Sequence, residues 1–428
     1  MRALICASGS HGDVLPFIAL GKALQERNCE VFIYTHRYFK QRIESEGLNC
    51  IGVGDSTDEY QQLLSDPKLT DSHQGTKILA KVLTANLAQD WQALRRYILP
   101  GQTVAIGSTL SLLPRLLKET DGVFCVTTHL APVLLRCRRR LPRFGTSPIW
   151  PLLPRPAPQV LWYMLDRLVF DPAFAPKLND LLSDLGLPPA KRVLGDWLHN
   201  VDMILAMFPD WLANPQPPWD TPLSLAGFPN GSLQQGTYNN LPRDIRLFLE
   251  QGTAPVVFTP GTATRCSGDF FLASIQACQS NGYRGILVDA HGEAPTDLPS
   301  GMISSGYVPF PNLLPHAAAL VHHGGIGTFS TALTAGIPQL IRPMAYDQFD
   351  NSAHAQRLGV GLELLPRHYS GKSAAEAIDA LLGSTSRVER CREIAQRARE
   401  DDGAVNAAER IIAAVGGDLT AAPGVSKR

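Results

Sequence analysis

Between Val321 and Thr328 the chain reads Val-His-His-Gly-Gly-Ile-Gly-Thr: a strand end, a glycine-rich turn and the start of a helix. Free backbone N–H groups and the positive end of a helix suit a diphosphate. Gly325 and Gly327 let the backbone come close, His323 offers a ring N–H, and Thr328 adds a hydroxyl. Gly261-Thr262 forms a second such turn after another apolar run, and Asp347-Gln348 supplies a carboxylate and an amide suited to two sugar hydroxyls. Near the start, Gly9-Ser-His-Gly-Asp-Val-Leu-Pro-Phe17 follows the first apolar run, and its titratable side chains are His11 and Asp13. A neutral alcohol is a poor nucleophile, so a carboxylate placed there suits a general base. Asp13 also suits the start of a helix as a capping residue, and both tasks stay open on residue type alone.

The ordered set Tyr307-Val-Pro, His323-x-Gly-x-Gly-Thr328, Gly336-Ile-Pro and Asp347-Gln-x-x-Asn351 resembles the donor-binding signature of the nucleotide-sugar glycosyltransferase superfamily. That resemblance implies the GT-B fold, two facing Rossmann-like domains with the site in the cleft between them. It implies that Tyr307 and Val308 lie near the nucleotide base, that His323, Gly327 and Thr328 meet the diphosphate, and that Asp347 and Gln348 hold the sugar; Gly12, Thr262 and Gly325 complete the expected donor-binding set. Gly12-Asp-Val-x-Pro16 is similar to the bacterial branch of the superfamily and makes Asp13 the expected base. His11 is the second candidate, or the group that orients Asp13 or the acceptor. Asp66-Pro-Lys-Leu69, Gly227-Phe-Pro229 and Asp347-Gln-Phe-Asp-Asn351 resemble the rhamnosyltransferases of rhamnolipid synthesis. The resemblance implies inverting transfer of L-rhamnose from dTDP-L-rhamnose to a 3-(3-hydroxyalkanoyloxy)alkanoate. A UDP-glucose-dependent enzyme for a sterol, polyketide or flavonoid is the alternative, and an epimerase or a non-catalytic nucleotide-sugar-binding protein is a further one. No cofactor and no metal are expected, since the set carries no Asp-x-Asp motif.

These residues need rigid elements behind them. Strands read at 3–7, 31–35, 104–107, 123–127 and 203–207, alternating with helices, which predicts a parallel doubly wound sheet. The rhythm restarts at 255–260 and continues at 285–289, 319–322 and 338–342, with helices at 388–400 and 404–415. A proline-rich stretch separates the two series. The expected fold class is therefore α/β with two such domains, at 1–213 and 244–428, joined by a linker at 214–243. At 428 residues the chain is long enough for two cores.

Lysine and arginine balance aspartate and glutamate at 39 each, so nucleic acid is not an expected partner. The eight cysteines form no C-x-x-C pair, which argues against zinc or a disulfide framework. The run Ala3–Ala7 is too short for a signal sequence, and no apolar stretch reaches a membrane span of about 18 residues. A cytoplasmic protein is expected. Residues 136–168 hold Arg136, Arg138, Arg139, Arg140, Arg143 and Arg155 among tryptophans and leucines. That mixture suits peripheral contact with an anionic membrane surface on its inner face, and equally an ordinary solvated basic loop. Phe17, Trp150 and Trp162 are the expected contacts for a hydrophobic, hydroxyl-bearing acceptor.

Overall fold

The computed structural model describes residues 1–54, 56, 60, 62–63, 66–138, 140–147, 153, 157–229, 238–262 and 267–416. Two parallel sheets organise them. The first comprises Arg2–Cys6 (β1), Glu30–His36 (β2), Asn49–Val53 (β3), Thr103–Gly107 (β4), Phe124–His129 (β5), Met203–Ala206 (β6) and Leu223–Leu225 (β7), in the order β3-β2-β1-β4-β5-β6-β7. The second comprises Val256–Thr259 (β8), Gly285–Val288 (β9), Met302–Ser305 (β10), Ala319–His322 (β11), Gln339–Ile341 (β12) and Gly361–Glu363 (β13), in the order β10-β9-β8-β11-β12-β13. The central strands are apolar because helices cover both faces: Ala3 through Ala7 are wholly buried. Both sheets reverse direction of winding beside their first strand, at β1/β4 and at β8/β11. Ligands of doubly wound sheets bind at such switch points, beyond the strand carboxyl ends. The chain is thus an α/β protein of two Rossmann-like domains in the GT-B arrangement.

Two boundaries differ from the sequence reading. Leu223–Leu225, inside the expected linker, pairs with β6 and completes the first sheet. The last helix, Gly403–Val415, returns to the first lobe, where Ala404, Ala407, Ala408 and Ile411 pack into the core built around β1 and the His11–Gln25 helix. Apolar spacing identified that helix but not the sheet it covers.

The lobes also touch each other. A shared apolar core joins Ile204, Ala206 and Phe208 of the first lobe to Phe329, Leu333 and Ala355 of the second. Above it, the Arg143 guanidinium makes two hydrogen bonds to Glu363, at 2.7 and 2.9 Å, and the Arg143 amide donates to Asp350 at 2.8 Å. Nearer the cleft, the Tyr346 hydroxyl donates to the Leu69 carbonyl.

Both side chains of the Arg143–Glu363 pair are mostly buried. Removing one leaves the other charge unpaired, which costs more than the pair itself contributes. Arg143→Ala is expected to lower stability by about 2–3 kcal/mol, read from the urea midpoint. Arg143→Ala combined with Glu363→Ala should recover part of that loss.

Candidate active site

The β1–helix turn is built to hold a carboxylate. Ser10 caps the His11–Gln25 helix and Asp13 occupies its third position. The Ser10 amide donates to Asp13 Oδ2 at 2.8 Å and the Ser10 hydroxyl to the same oxygen at 2.9 Å. This is the reciprocal half of a capping box. Gly9 sits at φ +129°, and a Cβ there would lie 2.5 Å from Asp13 Oδ2, so the carboxylate packs where only glycine leaves room. The Tyr60 hydroxyl donates to the Gly9 carbonyl and braces the turn. Asp13 is open to cleft water but surrounded by both lobes. Loss of bulk solvent raises its pKa, and the Ser10 bonds only partly oppose this.

His11 points elsewhere. Its ring packs edge-on against Tyr38 and Phe39, at 5.4 and 5.2 Å between centroids, and faces Tyr307 across the cleft at 6.4 Å. Burial lowers its pKa. Among the described residues no hydrogen bond joins it to Asp13, so Ser10 is the orienting residue and not His11. The Ser-x-x-Asp spacing was a sequence signal for that contact.

Opposite lies the second switch point. His322, wholly buried, is wired in its neutral form: Nε2 meets the Gln339 side-chain oxygen at 2.9 Å, and Nδ1 accepts from the Gly324 amide at 3.1 Å. His323 turns to the cavity. Burial pushes its pKa down to about 4, so the ring is neutral near pH 7, and its buried Nδ1 has no hydrogen-bond partner among the described residues. Gly261, at φ +92°, makes space for it: a Cβ there would stand 2.6 Å from His323 Cε1. Gly325 caps the Ile326–Ala335 helix, whose Gly327 and Thr328 amides belong to the unpaired first turn.

The loop after β12 closes this wall. Asp347 Oδ2 accepts from the Ile326 amide at 3.2 Å and from Asn351 Nδ2 at 2.8 Å. Asn351 also donates to the Gly324 carbonyl at 2.9 Å, tying the glycine turn to the Asp347 loop. The motif contained Asn351, but its spacing did not reveal that task. The Met344 and Ala345 amides donate to Gln348 Oε1 at 2.8 and 3.1 Å, which leaves its NH2 group for a ligand. Asp347 has a pKa raised to about 7, first by burial and then by the like charge of Asp13 from the other lobe.

All of these groups line one cavity of about 1610 Å³: His11, Gly12 and Asp13 from the first lobe, with Thr262, Tyr307, Val308, His323, Gly325, Gly327, Thr328, Asp347 and Gln348 from the second. Part of its wall is apolar, formed by Leu79, Leu83, Leu110, Leu161, Leu165 and Phe170. The expected acceptor contacts do not form that wall. Phe17 is wholly buried in the first-lobe core. Trp162 is buried under the Arg136 guanidinium at 4.0 Å and edge-on to Phe144, and does not line the cavity. Trp150 lies outside the described residues. The basic stretch breaks up too. Arg136 is buried against Asp166 at 2.5 Å, Arg143 pairs with Glu363, and Arg138 donates to the Pro218 carbonyl. Arg139 and Arg155 lie outside the described residues. Among the described residues no three metal-ligating side chains are gathered, and no helix is long and apolar enough to cross a membrane.

The raised Asp347 makes apo-protein stability depend on pH. Its folded pKa, about 7, exceeds the unfolded value of 3.8, so the folded state holds a proton that the unfolded state has released. Stability therefore falls as pH rises from about 4 to about 7. Asp347→Asn keeps both accepted hydrogen bonds and removes the charge. It is expected to melt several degrees above wild type at pH 8 and at the same temperature near pH 4, by scanning calorimetry.

Residues 3–136 match the Glycosyltransferase family 28 N-terminal domain, and residues 286–414 match the Erythromycin biosynthesis protein CIII-like, C-terminal domain. Glycosyltransferase GtfE of Amycolatopsis orientalis is 27% identical, over 99% of this chain and 100% of its own. The sterol 3-beta-glucosyltransferase of Komagataella phaffii is 24% identical over 96% of this chain, which spans only 34% of that longer protein. The crystal structure of the glycotransferase of kitacinnamycin superposes with a TM-score of 0.72 at 18% identity, covering 97% of this chain and 98% of that one. With both glycosyltransferase domain models in this order, the two switch points facing one cavity and similarity to a named glycosyltransferase along its whole length, the chain is a glycosyltransferase with the GT-B fold.

Proposed function

We propose that this enzyme moves a sugar from a nucleoside diphosphate to a hydroxyl of a bulky, apolar acceptor, in one inverting displacement. The observation that carries the reading is the pair Asp13 and Asp347, brought from different lobes into one cavity with a partly apolar wall. The donor lies along the second lobe, its base at Tyr307 and Val308. Its diphosphate lies at His323, Thr262 and the Gly325–Thr328 turn, with Gly12 facing it from the first lobe, and its sugar at Asp347 and Gln348. The acceptor lies against the apolar wall with its hydroxyl at Asp13. Asp13 takes the hydroxyl proton as the oxygen bonds to the anomeric carbon. The bond from that carbon to the diphosphate breaks, and the diphosphate leaves with the electron pair. The Gly327 and Thr328 amides and the neutral His323 stabilise the charge that develops. A raised pKa makes Asp13 a stronger base once ionised. Sugar hydroxyls donating to Asp347 replace the solvent it has lost.

The donor and acceptor we put first are dTDP-L-rhamnose and a 3-(3-hydroxyalkanoyloxy)alkanoate, because the motifs resemble rhamnolipid rhamnosyltransferases. UDP-glucose with a sterol is second, favoured by similarity to a sterol 3-beta-glucosyltransferase across nearly the whole chain and by a chamber with room for a polycyclic acceptor.

Purified protein offered each donor with a hydroxyacyl lipid, a sterol and a flavonoid should yield one glycoside class by mass spectrometry. Asp13→Asn is expected to cut turnover about 10³-fold while donor binding, read by calorimetry, stays unchanged. A nucleotide sugar that binds but gives no glycoside with any acceptor, or an Asp13→Asn variant of undiminished turnover, would sink the reading in favour of an epimerase or a binding protein. Turnover is also expected to survive exhaustive chelation with EDTA, because helix amides and His323 take the place of a cation at the diphosphate. Loss of activity restored by magnesium would reverse that assignment.

A further inference from the structure

Ten large apolar side chains among the described residues are exposed, and five of them share one surface: Val82 (44%), Val160 (51%), Tyr163 (48%), Met164 (46%) and Leu168 (64%). Residues 160, 163, 164 and 168 follow helical spacing along Ala157–Leu165 and the π-helical turn Asp166–Phe170 that continues it. The opposite side of the same helix carries Trp162 and Asp166, both buried. The exposed side is therefore an apolar face with nothing packed on it among the described residues.

That face is also the lip of the acceptor chamber. Val82, Met164 and Leu168 line the cavity as well as the outer surface. Beside it, Lys77, Lys81 and Lys177 gather with Leu168 and Val169 around a shallow hollow. The ion-paired lysines among the described residues are Lys22, Lys40, Lys118 and Lys372, not these three. Of the acidic groups nearby, Asp166 is buried against Arg136 and Asp171 accepts from the Arg192 and Val193 amides, while Asp180, three residues from Lys177, is exposed. In a chain of zero net charge, this is a local concentration of cations around apolar side chains.

We infer that this face docks on the surface of an anionic phospholipid bilayer and turns the mouth of the acceptor chamber toward the lipid. The apolar side chains enter the acyl boundary while the lysines meet anionic headgroups. An amphiphilic acceptor then reaches Asp13 from the bilayer without crossing water. The inference rests on the reading of the acceptor as apolar. A second copy of the chain fits the face less well, because a twofold contact would bring the two lysine groups together.

Flotation with vesicles of phosphatidylglycerol and phosphatidylcholine tests this against phosphatidylcholine vesicles alone. Wild type should bind the anionic vesicles, and binding should weaken as salt is raised. Val160→Asp with Tyr163→Asp, and separately Lys77→Glu with Lys81→Glu and Lys177→Glu, should each weaken binding at least tenfold, since each lysine is worth about fivefold in partitioning. None of these five side chains lines the cavity, so turnover of a water-soluble acceptor should be unchanged, which also verifies folding. No preference for anionic vesicles, or variants that bind as wild type does, would overturn the proposal. So would a wild-type dimer in gel filtration that Val160→Asp with Tyr163→Asp makes monomeric. Vesicle binding is read without catalysis, so failure of the acceptor reading (no glycoside from any apolar acceptor) is separate from failure of docking.

Discussion

Asp13 and Asp347 carry like charges into one cleft shielded from bulk water. Among the described residues neither has a cation for a partner: Asp13 is held by two groups of Ser10, and Asp347 by an amide and an asparagine. Burial first, and then the like charge of Asp13, raise the Asp347 pKa to about 7, and loss of solvent raises that of Asp13. That arrangement raises the energy of the empty enzyme. A ligand that donates hydroxyls to one carboxylate and presents a transferable proton to the other relieves it. The repulsion thus becomes selectivity for a hydroxyl-rich donor and a hydroxyl-bearing acceptor held together.

Keeping two such charges opposed requires lobes that do not drift. The apolar core around Phe208 and Phe329 closes the base of the cleft, and the Arg143–Glu363 pair fixes one side above it. An Arg guanidinium suits this task because it bonds both oxygens of one carboxylate and so fixes direction as well as distance. Nearer the chemistry the contacts are slighter: a ring-to-ring approach of His11 and Tyr307 and one hydroxyl from Tyr346. The contacts between the lobes are thus extensive at the base and slight nearer the cavity.

The sequence made the donor side legible because that side is mostly backbone. A turn that offers amides must be written in glycines, in contiguous order, and Gly261 with Gly325–Thr328 can be read as they stand. The fully buried strands were equally legible, since a parallel strand covered on both faces is a nearly unbroken apolar run, as in β1 and β8. Strands without such a run escaped. Met302–Ser305 is half polar, and Leu223–Leu225 has three residues in a proline-rich setting. The acceptor side was hidden for a deeper reason. Phe17 and Trp162 differ from Leu161 and Leu165 only in the direction they face, and an apolar residue in the core reads the same as one in a cavity. The arginines of 136–143 looked like a surface patch because their partners, Asp166 and Glu363, lie 30 and 220 positions away.

The two walls of the cleft are consequently free to vary in different ways. On the donor wall each contact depends on backbone placed to within a fraction of an ångström: Gly261 leaves room for the His323 ring and Asn351 ties the turn to the Asp347 loop. A side chain added at Gly261 displaces the His323 ring, the group proposed to meet the diphosphate. The acceptor wall is a set of leucines and a phenylalanine on helices and loops, where exchange of one apolar residue for another reshapes the chamber without moving Asp13. Ser10 holds Asp13 from within its own turn, so the proposed base keeps its position whatever the chamber contains. One fold can therefore keep the same displacement chemistry while its acceptors change from a lipid to a sterol, and the acceptor is written in the volume and direction of the apolar wall rather than in any motif.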